Sequence, residues 1–282
     1  ALTLLNSTVT NNIATGANPA YGGGIYNDAR FGGSAALTII NSTVSSNFAI
    51  GTGILPEFFG IGGGIYSYGA TLTITNSTIS DNRAGGDFEA AKGFGGGIYN
   101  DGTRIGRISN STVSHNIAAG NDGVGGGISN EAMLIIENSI LSYNHAQNAA
   151  NLGGTATSHG YNVCSDLCGG YFNGPGDQIN TDPLVGPLQD NGGPTFTRAL
   201  LPGSPAMDAG NPTLIPPPWY DQRGPDFWRV RNGRIDIGSF EVQEGAAVTP
   251  TPTPQPRPTR TPRPRPTPIH PPPTPGPPGA MF

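Results

Sequence analysis

Residues 62–82 read GGGIYSYGATLTITNSTISDN, and this stretch contains the unit that decides the fold. Gly-Gly-Gly-Ile begins at positions 22, 62, 95 and 125, and Asn-Ser begins at positions 6, 41, 76, 110 and 138. A second Asn follows six residues after each Asn of the Asn-Ser groups. Motifs that recur at intervals of roughly 20 to 50 residues are typical of solenoids, in which each unit stacks on its neighbour.

The segments between these motifs have the pattern of short β-strands. Residues 72–75 alternate Leu, Thr, Ile and Thr, and residues 77–80 hold a β-branched pair between two serines. A period of two indicates strands, and no stretch keeps the 3.6-residue period of a helix. We therefore predict an all-β chain that folds as a right-handed parallel β-helix.

The recurring Asn residues have a structural explanation in such a fold. Equivalent positions of successive coils lie about 4.8 Å apart, so side-chain amides can hydrogen-bond from coil to coil as a ladder. The sequence predicts that this ladder contains Asn6, Asn12, Asn41, Asn47, Asn76, Asn82, Asn110, Asn116, Asn138 and Asn144. The glycine triplets are suited to a corner that needs positive φ or a close backbone approach.

Three regions differ in composition. Residues 1–150 are predicted to form regular coils, and residues 151–245 to form degenerate terminal coils and a cap over the last coil. The predicted cap is residues 216–245, which include both tryptophans, Trp219 and Trp228. Residues 246–282 are predicted to be an extended tail, because the last 34 residues contain 15 Pro and four Arg without an acidic residue. That composition favours polyproline II.

The overall charge and hydropathy exclude several functions. The 282 residues include 14 Lys and Arg against 19 Asp and Glu, for a net charge of −5. Nucleic-acid binding needs many cations, so no nucleic-acid partner is predicted. No run of 18 apolar residues occurs in the sequence, so no membrane span is predicted. We also predict no cofactor.

The candidate metal ligands favour structural interpretations. Cys164 and Cys168 are too few to complete a zinc site, and in an oxidising compartment they would form a disulfide, with two free thiols as the alternative. An oxygen-rich calcium site could in principle be built from four acids, and these are Asp190, Asp208, Asp221 and Asp236. Each lies in a Gly- and Pro-rich turn, where Asp usually caps its own backbone, so no metal is predicted.

Several motifs together resemble a known family. Gly-Gly-Gly-Ile-Tyr-Asn stands at 95–100 and Leu-Thr-Ile-Thr-Asn-Ser-Thr at 72–78. The distal motifs are Thr-Asp-Pro-Leu at 181–184, Gln-Asp-Asn-Gly-Gly-Pro-Thr at 189–195, Leu-Pro-Gly-Ser-Pro-Ala-Met-Asp-Ala-Gly at 201–210, Asp-Gln-Arg-Gly at 221–224 and Asp-Ile-Gly-Ser-Phe-Glu at 236–241. Over residues 1 to about 243, the chain resembles bacterial surface proteins called choice-of-anchor Q domain proteins. The repeats also resemble those of chlamydial polymorphic outer-membrane proteins, although Val or Ile stands where those carry Phe.

The resemblance implies a secreted or cell-surface β-helix of mostly unassigned function, with no established catalytic residues. Other parallel β-helices are polysaccharide lyases, which place an Arg or Lys base beside clustered acids. Here Asp28 and Asp101 occupy equivalent positions after Tyr-Asn, so the repeat explains them without catalysis. The chain is therefore not predicted to be an enzyme, and a polysaccharide lyase or hydrolase is kept as an alternative.

From the sequence we predict that the chain functions as an extracellular structural subunit, which assembles with other copies of itself head to tail. Residues 1–6 match residues 36–41, so the sequence starts in the middle of a repeat unit. Unless an upstream segment is missing, this start would leave an unpaired strand edge to which a neighbouring subunit could bind. The tail carries +4 and residues 1–248 carry −9, so the tail is expected to dock on a neighbouring subunit through Arg257, Arg260, Arg263 and Arg265. Alternatives are a monomeric adhesin or stalked binding module, with the cell wall or a glycan as partner.

Overall fold

The computed structural model describes residues 1–17, 19–30, 33–52, 59–86, 92–213 and 219–243. Its contacts divide the chain into two units, residues 1–246 and residues 247–282, and every described residue belongs to the first. The described residues up to Cys164 form short strands that pair in parallel within five stacked sheets. The chain is therefore an all-β solenoid of the parallel β-helix type, as the repeat predicts.

Two six-stranded sheets form adjoining sides of each coil. Sheet A contains β1 (Leu2–Leu5), β6 (Ala36–Ile40), β11 (Thr71–Thr75), β16 (Ile105–Ser109), β20 (Met133–Glu137) and β24 (Thr157–Gly160). Sheet B contains β2 (Thr8–Thr10), β7 (Thr43–Ser45), β12 (Thr78–Ser80), β17 (Thr112–Ser114), β21 (Ile140–Ser142) and β25 (Val163–Cys164).

Three smaller sheets complete the coils. Sheet C contains β3 (Ile13–Gly16), β8 (Phe48–Gly51), β13 (Arg83–Ala84), β18 (Ile117–Ala118) and β22 (His145–Ala146). Sheet D contains β4 (Ala20–Tyr21), β9 (Phe59–Ile61) and β14 (Lys92–Phe94). Sheet E contains β5 (Ile25–Asp28), β10 (Ile65–Tyr68), β15 (Ile98–Asp101), β19 (Ile128–Asn130) and β23 (Leu152–Gly154). Beyond the coils lie a 3-10 turn (Cys168–Gly170) and an antiparallel pair, β26 (Val185–Gln189) and β27 (Thr197–Leu200).

The core is a stack of aliphatic side chains, one layer per coil. In sheet A, Ile39 pairs in register with Ile74, which lies beside Ile108, and all three are at most 1% exposed. Because alternate residues of a strand point to opposite faces, the Thr between them faces outward. The Leu-Thr-Ile-Thr alternation thus places one face of each strand in the core.

The first Asn of each repeat forms the corner between sheets A and B. All five have positive φ, namely Asn6 (49°), Asn41 (49°), Asn76 (54°), Asn110 (47°) and Asn138 (47°). Among residues with a side chain, Asn is one of the few that adopts this left-handed conformation readily. These Asn residues bond in pairs, because Nδ2 of Asn76 donates to Asn41 and Nδ2 of Asn138 donates to Asn110, each at 2.7 Å. The predicted continuous ladder is therefore replaced by pairs in this set.

The second Asn of each repeat forms a continuous ladder. The Nδ2···Oδ1 distances are 2.9 Å from Asn12 to Asn47, 3.0 Å from Asn47 to Asn82, 2.9 Å from Asn82 to Asn116 and 2.9 Å from Asn116 to Asn144. Asn144 extends the ladder to Asn151 at 2.9 Å. Each of these Oδ1 atoms, from Asn47 to Asn144, also accepts a hydrogen bond from the backbone N–H of the preceding Asn. One amide oxygen therefore accepts two hydrogen bonds.

The glycine triplets and this ladder fit each other across the coil. Gly62 has a φ of +67°, which glycine adopts without strain. A Cβ atom on Gly64 would lie 2.7 Å from the Gly97 carbonyl oxygen and 2.9 Å from Cγ of Asn82. The third glycine of a triplet therefore leaves the space that a ladder amide fills, which links the two motifs physically.

We expect Asn82→Ala to lower the free energy of unfolding by about 1 to 3 kcal/mol, because the neighbouring amides lose buried partners. Asn82 is fully buried in mid-ladder, whereas Asn12 is exposed at its end. Asn12→Ala is the matched control and should cost clearly less. The measurement is urea denaturation of the two variants, and equal midpoints for both would contradict the ladder.

The terminal cap consists of a short segment pinned by a disulfide. Cys164 and Cys168 are bonded to each other, and Cys168 and Phe172 pack into the solenoid core beside Leu152. Residues 164–172 thus cover the last apolar layer. The sequence predicts a cap over the last coil from residues 216–245, and the described part of that segment, residues 219–243, contacts sheet B.

Residues 183–213 and 219–243 fold back along the outer face of sheet B, and we call them the clasp. The Thr43 hydroxyl donates to the Phe196 carbonyl at 2.6 Å, and the Thr78 hydroxyl donates to Oε1 of Gln222 at 2.6 Å. Thr43 and Thr78 are consequently at most 1% exposed, although they point away from the solenoid core. The polar outer face of a strand gave no sequence signal for this second layer.

An apolar cluster lies between the clasp and the last coils. Ile140 stands where earlier repeats carry Thr, and with Val163 it packs against the clasp. Its clasp partners are Val185, Ala199, Leu200, Ala206, Ile237 and Phe240. Arg198 adds an ion pair with Asp81, whose two carboxylate oxygens accept from Nη2 at 2.9 and 2.8 Å. The clasp is therefore attached by both apolar and charged contacts.

Candidate functional site

A column of tyrosines runs across the outer face of sheet E. Tyr26, Tyr66 and Tyr99 occupy the same register position of β5, β10 and β15. The rings of Tyr26 and Tyr66 are 5.2 Å apart with 6° between their planes, and those of Tyr66 and Tyr99 are 5.5 Å apart with 2° between them. The solenoid rise alone brings the rings to stacking distance.

Two further tyrosines widen the column. The Tyr21 ring lies 4.7 Å from that of Tyr66, tilted by 58°, and Tyr68 stands in register with Asp28 and Asp101. Tyr66 is buried among its neighbours, whereas Tyr26 is 50% exposed at the end of the column. We call this set, with Asp28 and Arg30, the tyrosine surface.

Charged groups are fixed at the exposed end of the tyrosine surface. Nε of Arg30 donates to Asp28 at 2.6 Å, and its Nη2 donates to the Tyr26 hydroxyl, which in turn donates to Asp28. The guanidinium carbon lies 5.7 Å from the Tyr21 ring centre and 5.5 Å from that of Tyr68. Cation–π contacts and hydrogen bonds thus hold Arg30 beside the rings.

Burial and hydrogen bonding shift the pKa of several groups on this surface. Burial raises the pKa of the Tyr66 and Tyr99 hydroxyls, so both phenols stay neutral. Burial also raises the pKa of Tyr26, and its bond to Asp28 adds to that shift. Slight burial acts to raise the pKa of Asp28, but hydrogen bonds from Arg30 and Tyr26 outweigh it and lower that pKa. Near neutral pH the surface therefore carries neutral phenols beside one carboxylate and one guanidinium.

A second aromatic group, on the clasp, is exposed to solvent. Trp219 is 64% exposed, Trp228 46% and Val230 55%, and the rings of Tyr220 and Trp228 are 4.8 Å apart. The backbones of Tyr220 and Trp228 form an antiparallel bridge, which fixes their relative positions. We call Trp219, Tyr220, Trp228 and Val230 the Trp surface. Both tryptophans belong to the segment predicted as the cap, and both face solvent.

Buried charges stand behind the Trp surface. Arg223 bonds to Asp221 and donates to the Glu241 carbonyl at 2.6 Å, while its guanidinium lies 3.9 Å from the Phe227 ring centre and 3.8 Å from that of Phe240. Arg229 is 1% exposed and donates to the Gly238 carbonyl. These groups position the clasp and have no access to a substrate.

The four Asp residues considered for calcium serve mostly as backbone acceptors. Asp190 accepts from Gly192 N–H at 2.9 Å, Asp221 accepts from Glu241 N–H at 2.8 Å, and Asp236 accepts from Asp208 N–H at 2.7 Å. Carboxylate oxygens of Asp208, Asp236 and Glu241 lie within 4.8 Å of one another. Asp190 and Asp221 are not part of that group, so the four do not form one site.

The remaining predicted site residues are two cysteines, which the structure describes, and four tail arginines, which it does not. Cys164 and Cys168 form a disulfide and pin the terminal cap. The docking residues Arg257, Arg260, Arg263 and Arg265 lie outside the described residues, as does the whole tail from 244 onward. Within the described part of the chain, no helix is long and apolar enough to cross a membrane.

The tyrosine column was not predicted from the sequence, although its repeating pattern is visible there. Tyr26, Tyr66 and Tyr99 each follow Gly-Gly-Gly-Ile directly, on the face opposite the buried Ile. A constant aromatic at an outward position predicts a surface column, because that position contributes nothing to the core.

Comparison with known proteins gave no match to a family model, to a curated protein or to a solved structure.

Proposed function

We propose that the chain is a non-catalytic extracellular binding module, a rigid β-solenoid whose tyrosine surface takes carbohydrate. The observation that carries this proposal is the juxtaposition of the Tyr26–Tyr66–Tyr99 column with the Asp28–Arg30 pair. Such a surface combines flat aromatic area with oriented polar groups. It is the combination that small-ligand sites use for affinity and for orientation.

A pyranose ring presents both kinds of complementary surface. Its C–H face packs against an aromatic ring, and its neighbouring hydroxyls can donate to Asp28 and accept from Arg30. Tyr26 is half exposed and bonds to both charged groups, so it is the residue placed to contact both parts of a sugar. Because the rings are held by the coil register, binding would order few side chains, which favours affinity.

We expect Tyr26→Ala to weaken carbohydrate binding about tenfold, which corresponds to about 1.4 kcal/mol. Tyr26→Phe keeps the ring and loses the hydroxyl bonds, so its affinity should fall between that of the unmodified protein and that of Tyr26→Ala. Isothermal titration calorimetry with xylan, galactomannan and N-acetylglucosamine oligomers is the measurement. Tyr143→Ala is the matched control, because Tyr143 is 38% exposed on another side of the coil.

No binding to any of these glycans by the unmodified protein would overturn the proposal, and so would equal losses for Tyr26→Ala and Tyr143→Ala. The same mixtures test the enzyme alternative. We expect the polymers to keep their length during incubation. Shorter products that disappear with Arg30→Ala would instead support a polysaccharide lyase or hydrolase.

Self-assembly through the edge strand β1 is a second candidate. Leu2 is the register partner of buried Leu37, yet it is 49% exposed, and Leu5 and Ile13 are 55% and 62% exposed at the same edge. Either a preceding coil of the same protein or a second copy would bury these side chains and pair the strand edges. Long regular fibres in negative-stain micrographs would support assembly, and discrete short rods would contradict it.

We infer a right-handed winding, since parallel crossovers are right-handed in roughly 98% of cases. The family proposed on the motifs is that of the choice-of-anchor Q domain proteins, and the proposed location is the bacterial cell surface. Residues 246–282 are proposed to be a polyproline II tail, on the composition of that segment.

A further inference from the structure

The Trp surface is an exposed aromatic area of the clasp. Trp219 and Trp228 are the two tryptophans of the chain, and both are about half exposed or more. Exposed Trp is unusual in a monomer surface, and Trp and Tyr are the residues that most often dominate binding energy. The Tyr220–Trp228 bridge and buried Arg229 hold the surface in place, so it is preformed.

The chain itself contains a ligand class that suits this surface. Proline-rich segments in polyproline II conformation bind aromatic-lined surfaces, because the stiff helix loses little entropy on docking. Polyproline II has three residues per turn, so positions three apart fall on one edge. From position 266 onward one such edge consists of Pro266, Ile269, Pro272, Pro275 and Pro278, which we call the tail stripe.

We propose that the tail stripe of a second copy docks on the Trp surface. The stripe offers five apolar side chains in a row over about 37 Å, at three residues per turn and a ~3.1 Å rise per residue. The tail stripe lies outside the described residues, and its edge follows from the sequence alone. The inference is independent of the carbohydrate proposal, because it uses a different surface, and it gives the assembly candidate a specific contact.

The position of Gln243, the last described residue, favours a second copy as the source of the tail stripe. Nε2 of Gln243 donates to the Trp228 carbonyl at 3.2 Å while Arg231 donates to Oε1 of Gln243 at 2.7 Å. The chain therefore leaves the clasp beside the Trp surface. In polyproline II, Pro266 lies about 70 Å further along the chain than Gln243, using the ~3.1 Å rise per residue. A spacer that was stiff over that length would hold the tail stripe away from the Trp surface of its own chain, which favours a second copy.

Charge extends the same match. Arg257, Arg260 and Arg263 precede the stripe on the same edge, because they continue its three-residue spacing. Asp226 is exposed two residues before Trp228 and, among the described residues, makes no hydrogen bond or ion pair. An Arg one turn before Pro266 would lie within about 10 Å of a proline on Trp228, close enough to face Asp226.

Sedimentation velocity and light scattering of the full-length chain test the proposal. We expect the unmodified protein to self-associate, and Trp219→Ala with Trp228→Ala to weaken association about tenfold or more. The matched pair lies in the tail: Pro272→Ala with Pro275→Ala changes the stripe, while Pro271→Ala with Pro277→Ala changes a different edge of the same segment. Only the first pair should weaken association, and Met133→Ala, 61% exposed on sheet A, should have no effect.

Added peptide corresponding to residues 262–279 should dissociate the oligomers and change the tryptophan fluorescence of the unmodified protein. Near-ultraviolet circular dichroism confirms that the Trp variants keep their fold. A monomer at all concentrations overturns the proposal, and so do equal effects of the two proline pairs. If the protein is a monomer and its tryptophan fluorescence still changes in the stripe variants, the tail stripe docks on its own molecule. That result also overturns the proposal. Loss of glycan binding leaves these outcomes unchanged, so the two proposals fail separately.

Discussion

Arg223→Ala is expected to lower the free energy of unfolding by about 3 to 5 kcal/mol, because it leaves a buried carboxylate without its partner. Asp221 is fully buried, Arg223 is 5% exposed, and the two are joined by Nε···Oδ2 at 2.9 Å and Nη2···Oδ2 at 2.5 Å. The same guanidinium lies between the Phe227 and Phe240 rings. The substitution therefore removes an ion pair and a stack at once.

Chemical denaturation followed by circular dichroism and by tryptophan fluorescence measures this effect. Both tryptophans lie on the clasp, so their fluorescence reports clasp release, whereas circular dichroism reports the solenoid strands. We expect the fluorescence transition to move to lower denaturant before the strand signal does, because Arg223 holds the clasp and not the coils.

Two further variants make the result specific. Arg231→Ala removes an exposed Arg of the clasp and should change stability by about 0.5 kcal/mol or less. Asp221→Ala combined with Arg223→Ala removes both charges and should recover part of the loss seen with Arg223→Ala alone. A loss below about 1 kcal/mol for Arg223→Ala would show that the pair does not hold the clasp.

The coils could be predicted from the sequence because each unit is determined by short-range rules. The alternation at 72–75 gives a strand with one buried face, Asn76 gives a corner, and the glycine triplet at 62–64 gives another corner. Each of these features is local in sequence and recurs along the repeats. Stacking then needs no further information, since each residue lies over its equivalent in the next coil. The same logic predicts the Asn12-to-Asn144 ladder.

The clasp could not be predicted in this way, because its contacts connect residues far apart in sequence. Gln222 meets Thr43 across 179 positions, and Ser239 meets Thr112 across 127. A Thr on the outer face of a strand is the normal choice for solvent, so nothing local marks Thr43 or Thr78 as buried. Ile140 was the available signal, because an apolar residue replaces Thr at an outward position.

The two Asn sets show the same limit at the level of single residues. Both recur with the same spacing, yet the second set bonds along the solenoid while the first set also bonds outward. Nδ2 of Asn76 donates to the Tyr220 carbonyl at 3.1 Å, and Nδ2 of Asn138 donates to the Asp236 carbonyl at 3.2 Å. The corner residues thus have positive φ for the coil and spare donors for the clasp, which a repeat pattern alone does not reveal.

Stability is expected to fall as the pH rises from about 5 to about 9, because of Glu241. Burial raises the pKa of this carboxyl to about 9 from its ordinary value near 4.5, and the charge of Asp236 adds to the shift while Arg229 opposes it. Burial also raises the pKa of Asp236. A carboxyl with a raised pKa binds its proton in the folded state and loses it on unfolding, so stability is complete below pH 4.5 and is lost through pH 9.

Glu241→Gln isolates this contribution, since Gln has the shape of the neutral acid and keeps an oxygen that can accept from Asp236 N–H, a bond of 2.8 Å in the unmodified protein. Between pH 6 and pH 9 the unmodified protein should lose up to about 1.4 kcal/mol per pH unit relative to the variant. Glu131→Gln, at an exposed carboxyl, should instead give a curve parallel to that of the unmodified protein. Urea denaturation across this pH range measures the difference. Parallel curves for Glu241→Gln and the unmodified protein would mean that Glu241 is already ionised in the clasp, with Arg229 and Arg223 compensating the buried acids, and the proton would then have no part in holding the clasp to the solenoid.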